Sequence, residues 1–210
     1  MRRILATPAD WEDAYREGTP PWDANRPHAE LTRVLDEHRL KPQTVLEIGC
    51  GSGADAIVLA KRRFEVTAID CSAIAIERAR MRAEQHDALL RFVQTDVFDF
   101  VRSSPGQFDL VYDAGLYHAL RLVELDRYLD VLWRVTKPGS YFFCLAGAPN
   151  AGAPGEQVED GPPPVTEDEI HNELGRLFEL VHLRPTRLES SRSNVLYPGW
   201  SILMRRPPLR

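Results

Sequence analysis

The sequence predicts an α/β fold: a mostly parallel sheet of seven strands between two layers of helices, closed by an antiparallel strand pair. Three observations predict it. The apolar run Thr44-Val45-Leu46-Glu47-Ile48 feeds directly into Gly49-Cys50-Gly51-Ser52-Gly53, and Ala54 to Lys61 then reads as a helix. That strand, turn and helix form the corner of an open α/β sheet, where ligands bind in the crevice beyond the strand ends. Strand and helix periodicities then alternate as far as Ala146. Finally, residues 178–188 and 194–204 are extended and flank a polar turn. The sum is a three-layer, Rossmann-like domain over residues 44–210, preceded by a helical cap or lid segment, 1–43, within one compact unit.

Each element has a local reason. Thr7-Pro8-Ala9-Asp10 reads as a cap with proline in the first helical turn, and Trp11, Ala14 and Tyr15 then share a face. Gly18 to Pro27 is an irregular loop holding Trp22, which either buries in the core as a tether or lies over a ligand as a lid. Leu31, Val34 and Leu35 form the next helix face. Phe64 to Asp70 is the second strand, and Ser72 caps a helix from Ala73 to Gln85 whose inner face is Ala75, Ile76, Ala79 and Ala83. Leu89 to Gln94 is the third strand, continuing into a loop at Thr95-Asp96-Val97-Phe98. A turn at Pro105-Gly106 leads to the fourth strand, Phe108 to Asp113. A helix with Leu122, Leu125, Leu129 and Leu132 inward is closed by Lys137-Pro138-Gly139 before the apolar strand Tyr141 to Ala146. Ala148 to Val165 is a long loop with Glu156, Glu159 and Asp160, and Thr166-x-x-Glu169 is a capping box.

Composition sets limits. Hydrophobic residues are 43% and charged residues 27%, with formal net charge -5. That balance argues against broad nucleic-acid binding, which needs a basic face. Arg78, Arg80 and Arg82 read as a solvated helix face. Cys50, Cys71 and Cys144 show no metal-ligand spacing, so no metal is expected, and their odd number suits a reducing, cytoplasmic setting. No apolar run approaches the roughly 18 residues of a membrane span, and Met1 to Leu5 lacks a leader's apolar region.

Two ligands suit the glycine corner. Gly49-x-Gly51-x-x-Ala54 fits a relaxed dinucleotide fingerprint, the mark of an NAD(P)-dependent oxidoreductase. Glu47, two residues before the first glycine, favours S-adenosylmethionine instead, because a carboxylate repels a diphosphate but suits a sulfonium and an ammonium. On either reading Cys50 and Cys71 border the site, and Asp70, ending the second strand, accepts both hydroxyls of a ribose. Asp96 either meets an adenine amino group, with Val97 and Phe98 against the ring, or makes a turn.

Glu47-x-Gly49-x-Gly51-x-Gly53, Asp70, Thr95-Asp96-Val97, Phe108 to Asp113 and Lys137-Pro138-Gly139 together resemble the class I adenosylmethionine-dependent methyltransferases. Trp11-x-x-x-Tyr15 and Thr19-Pro20-Pro21-Trp22-Asp23 are similar to the entrance of the thiopurine, thiol/halide and tellurite-resistance branch, whose members act on small molecules. The resemblance implies methyl transfer to a small-molecule acceptor by in-line displacement, with no partner nucleic acid or membrane. Asp113-Ala114-Gly115-Leu116 departs from the signature of adenine and glutamine amino methylation, and no Pro-Cys pair supplies a cytosine-C5 nucleophile. His118 is the candidate base, or else a structural histidine at a helix start. Tyr117 orients substrate or packs, and Asp113 supports the methionyl end of the donor or caps the helix. A binding protein that has kept the fold but lost turnover is the remaining alternative.

Overall fold

The computed structural model describes residues 7–103, 106–149, 161–191 and 195–208. Two helices come first, α1 (Pro8–Arg16) and α2 (Ala29–Glu37). The alternating body is β1 (Thr44–Ile48), α3 (Ala54–Lys61), β2 (Glu65–Asp70), α4 (Ala73–Gln85), β3 (Arg91–Gln94), α5 (Val97–Ser103), β4 (Phe108–Ala114), α6 (Tyr117–Val135) and β5 (Thr136–Gly147). The chain then runs through α7 (Glu167–Glu173), β6 (Glu179–Glu189) and β7 (Leu196–Arg205). The strands form one sheet in the order β3-β2-β1-β4-β5-β7-β6, parallel except for the β5–β7 and β7–β6 pairs.

Strand pleating sorts the core into two halves. Leu46 and Ile48 of β1 join Val111 of β4 and the apolar faces of α5, α6 and α7. Val45 of β1 joins Leu110 and Tyr112 of β4 and the faces of α2, α3 and α4. Leu31, Val34 and Leu35 of α2 belong to that second cluster, so the N-terminal segment shares the core of the sheet domain. Glu47 alternates with Leu46 and Ile48, and its register partner is Tyr112. Pleating therefore turns both toward α3, while Asp113 faces α6.

Local chemistry set several boundaries where the sequence placed them. Thr7 and Thr166 each make a full capping box, and Ser72 accepts from Ala75 N at the start of α4. Three expectations need correction. The loop after β3 is a helix, α5, started by Asp96, whose Oδ1 accepts from Phe98 N at 2.7 Å. Lys137-Pro138-Gly139 does not end α6; it lies inside β5, where Gly139 N donates to Arg206 O at 2.9 Å. Leu122 is 46% exposed, because Glu124 leaves helical geometry and breaks the spacing that would aim it inward. Pro105 of the expected turn, residues 150–160 of the long loop with Glu156, Glu159 and Asp160, and residues 192–194 before β7 lie outside the described residues.

The turn after β1 is held tightly. Gly53 sits at φ +77°, and a Cβ there would come within 2.8 Å of Ala79 Cβ and 3.1 Å of the Phe92 ring. Gly53→Ala should cost about 2 kcal/mol, lowering Tm by about 4–8 °C in a domain of this size. Gly175→Ala is the control for thermal melts, since a methyl group added there would meet nothing within 4 Å and stability should stay within about 0.5 kcal/mol.

Candidate active site

A cavity of about 1240 Å³ lies over the carboxyl ends of the parallel strands. Gly49, Asp70, Asp96, Val97 and Phe98 line it, as do Trp22, Leu116, His118 and Tyr197. The expected residues sort themselves by whether they reach this space.

Gly49 reaches it; Cys50, Gly51 and Gly53 do not line it. Cys50 turns into the α2–α3 cluster, and burial pushes its thiol well up. Gly51, at φ +52°, leaves room for Tyr15 of α1, whose hydroxyl would be 2.6 Å from a Cβ. Cys71 does line the cavity, its thiol pushed up to about 12 by burial and by Asp70.

Asp70 sits at the cavity edge. Its Oδ2 accepts from Gly51 N at 2.8 Å and its Oδ1 from Ser72 N at 2.9 Å. Burial raises its pKa to about 6 against the pull of those two amides. Each oxygen still has a second lone pair to offer. Glu47 is buried, and its Oε2 has no hydrogen-bond partner. Burial first, then the nearby Asp55, Asp70 and Asp113, drive its pKa well above the usual carboxylate range. Asp96 borders the cavity while holding the α5 amide, so the turn-making and ligand-facing readings share one side chain.

For three residues the sequence left a ligand-facing and a structural reading open. Asp113 is fully buried and outside the cavity wall. It accepts from Leu116 N at 2.7 Å, from Tyr117 N at 2.8 Å and from Tyr128 Oη, which is the capping role. Burial nonetheless raises its pKa to about 6. Tyr117 packs: it is buried, stacks on Tyr128 and donates its hydroxyl to Glu173 at 2.7 Å, away from the cavity. His118 does line the cavity, but Gly147 N donates to its Nδ1 at 3.1 Å. The neutral ring then carries its proton on Nε2 and acts as a donor. The base role expected of His118 needs the opposite tautomer.

Trp22 is 40% exposed at the rim, edge-on to Trp11 at 5.2 Å, so it is not a core tether. Its segment is fastened by polar bonds. Glu12 Oε2 accepts from Ser72 Oγ at 2.6 Å, and that bond chiefly holds its carboxyl below the usual range. Arg78 donates to Gly18 O and Tyr15 O at 2.8 and 2.9 Å, and Arg82 to Ser52 Oγ at 2.9 Å. These arginines are anchors, not a solvated face. Ser52 Oγ donates to Asp23 at 2.8 Å, and Ser190 and Ser191 donate to Pro21 O and Pro20 O at 2.9 Å.

Two residues with no sequence signal also stand here. His28 lines the cavity beside Trp22, and its Nδ1 lies 2.7 Å from Asp55 Oδ2. Asp55 reads in sequence only as an acid in the first turn of α3. Arg121, another wall residue, pairs with Glu169 at 2.6 Å and with Glu173, tying α6 to α7. Among the described residues no three His, Cys, Asp or Glu side chains are grouped to hold a metal ion, and no helix is long and apolar enough to cross a membrane.

Comparison with known proteins adds a family. Residues 6–195 match the family model described as thiopurine S-methyltransferase. A 2-heptyl-1-hydroxyquinolin-4(1H)-one methyltransferase of Mycobacteroides abscessus is 27% identical over 170 residues, covering 80% of this chain and 73% of that protein. A probable thiol methyltransferase 2 of Arabidopsis thaliana is 24% identical over 137 residues, 64% of this chain and 60% of that one. A solved structure described as "Conversion of a Disulfide Bond into a Thioacetal Group during Echinomycin Biosynthesis" superposes with a TM-score of 0.81 at 25% identity, over 96% of this chain and 93% of the other.

The raised pKa of Asp70 has a measurable consequence. Its folded value of about 6 lies above the ordinary 3.8, so the folded state binds the proton more tightly than the unfolded chain. The stabilisation from protonation is complete below about pH 4 and is lost as pH rises to about 6, some 3 kcal/mol at most. Asp70→Asn should flatten that part of the ligand-free pH–stability curve, measured by urea unfolding between about pH 4 and 7.

Proposed function

Since the chain belongs to the thiopurine S-methyltransferase family of class I adenosylmethionine-dependent methyltransferases, we propose that it methylates a small, largely apolar molecule at an oxygen, sulfur or nitrogen atom by in-line displacement. The observation that carries this reading is the cavity itself, which joins a carboxylate-rich corner to a wall of Trp22, Leu116, Leu145, Leu188 and Tyr197.

The residues present fit the methyl donor. A ribose diol needs two acceptors at the edge of β2, and Asp70 has them. Glu47 Oε2 has no partner and Asp55, Asp70 and Asp113 lie near it, so a sulfonium or an ammonium bound beside Asp70 would favour the ionised form of these carboxyls. A diphosphate there would instead meet like-charge repulsion from Asp70 in its ionised form. Gly49 leaves the backbone bare at the cavity edge, Asp96 and Val97 face the space for a base, and Trp22 covers the rim. When bound, adenosylmethionine supplies a methyl group already activated by its positive sulfur.

The chain's own work is then alignment and exclusion of water. Apolar walls strip solvent from the acceptor, and a fixed approach line is worth effective molarities of roughly 10⁵ M or more. His118 forms part of the wall of this space, its Nδ1 held by Gly147 N. Both relatives' names, a hydroxyquinolinone and a thiol methyltransferase, support a small-molecule acceptor. The acidic composition supports neither nucleic acid nor membrane as partner. Cys50, Cys71 and Cys144 carry free thiols, which suits a reducing cytoplasm.

Calorimetry should show micromolar-range binding of the demethylated donor and none of NAD; the reverse result overturns the reading. Binding near pH 6 should release protons, because a ligand favouring ionised Asp70 lowers its pKa from about 6, and buffers of different ionisation enthalpy will reveal this. Labelled methyl transfer to a panel of thiols, phenols and heteroaromatic hydroxyls separates an enzyme from a silent binding protein.

A further inference from the structure

We propose that His28, oriented by Asp55, is the proton acceptor of the reaction, and that the methyl acceptor therefore carries an aromatic hydroxyl that must be deprotonated to react. This rests on the methyltransferase reading above and goes beyond it, since transfer as such requires no base.

The geometry is that of an oriented imidazole. Asp55 is buried at the N-terminus of α3. Its Oδ1 accepts from His28 backbone N at 2.8 Å, and its Oδ2 lies 2.7 Å from His28 Nδ1. Tyr112 Oη also donates to Oδ2, at 2.9 Å, which keeps the carboxylate an acceptor. Nδ1 of His28 therefore holds its proton and Nε2 keeps a lone pair. The His28 side chain is 17% exposed and lines the cavity, and no described residue is hydrogen-bonded to Nε2. A carboxylate behind one ring nitrogen, with the other facing a reaction space, is how proteins build a base.

The surroundings agree. His28 is faced by Asp55 from α3, Glu189 at the end of β6, Asp23 from the N-terminal loop, and the Tyr112 hydroxyl from β4. Burial works against its charged form, yet these carboxylates, Asp55 foremost, raise its pKa above the ordinary value. The neutral ring is thus a better base than free histidine. Leu188, Glu189 and Tyr197 from the β6–β7 side line the same cavity as His28, and Glu189 faces it. His118 has the opposite polarity, imposed by Gly147 N. Of the two histidines, only His28 has a carboxylate on Nδ1.

The step balances. The hydroxyl proton passes to His28 Nε2, and the oxygen lone pair forms the new bond to the methyl carbon. The carbon–sulfur bond breaks with its electron pair left on sulfur, giving a neutral thioether and a methyl ether. Imidazolium then returns its proton to solvent. An acidic aromatic thiol, already ionised near neutrality, bypasses the first transfer.

The experiment compares wild type, His28→Gln and Asp55→Asn on a phenolic hydroxyl and on an acidic aromatic thiol. On the hydroxyl, His28→Gln should lower kcat about 10²-fold or more and abolish the acid limb of the pH–kcat profile, where the wild-type rate falls as His28 protonates. Asp55→Asn should lower kcat and move that limb to lower pH. On the thiol, His28→Gln should lose less than about fivefold, with binding of the demethylated donor unchanged by calorimetry. Equal loss on both acceptors, or an unaltered pH profile, overturns the base role. Nitrogen NMR of the imidazoles tests the same point without turnover: His28 should be the Nδ1–H tautomer and His118 the Nε2–H tautomer, and the reverse for His28 sinks the proposal. Absence of donor binding by the wild type would instead refute the methyltransferase reading.

Discussion

Three adjacent parallel strands end in carboxyl groups that are all buried: Glu47 on β1, Asp70 on β2 and Asp113 on β4. Asp55, at the start of α3, joins them from the helix layer. Placing so many acids in a low-dielectric corner opposes their ionisation, and each strand-end acid has its pKa raised by burial first. The chain offsets this for Asp70 and Asp113 with backbone amides and a tyrosine hydroxyl. For one oxygen of Glu47 it supplies nothing. A buried acceptor without a partner is costly to keep. A positively charged group brought near these acids would relieve part of that cost.

The N-terminal segment reflects a second balance. The helix α2 is bound by apolar burial, whereas α1 and the loop after it are fastened by separate polar contacts through Glu12, Arg78, Asp23 and the carbonyls of Pro20 and Pro21. Hydrogen bonds of this kind contribute about 1 kcal/mol each, or somewhat more where an ion takes part. They open more readily than a packed core does. Trp22, half out of the rim, and the partnerless hydroxyl of buried Tyr15 lie where that segment meets the glycine turn.

Two histidines on one cavity show how backbone and side chain divide the chemistry. A main-chain amide polarises His118, and a carboxylate polarises His28. Neither effect depends on what the histidine's immediate neighbours in sequence are. Both depend on which group the fold brings to Nδ1, and the two groups demand opposite tautomers.

Much of this architecture was legible in the residues alone. The run into Gly49, Gly51 and Gly53, the acid closing β2, the caps at Thr7, Ser72 and Thr166, and the inner faces of α2 and α4 are local or periodic signals. They express backbone geometry and one-sided burial, which neighbours in sequence dictate. The sheet class followed from their alternation. What the tertiary structure decided is where a side chain's polar atoms end. Asp113 turned to a cap and Tyr117 to packing, Leu122 rotated outward at a break in α6, and Arg78 became an anchor. His28 met Asp55 across 27 positions, Gly147 met His118 across 29, and Glu12 met Ser72 across 60. Periodicity tells which face of an element is buried, but a hydrogen bond is made by one atom with one partner, and only the folded chain brings that partner within about 3 Å.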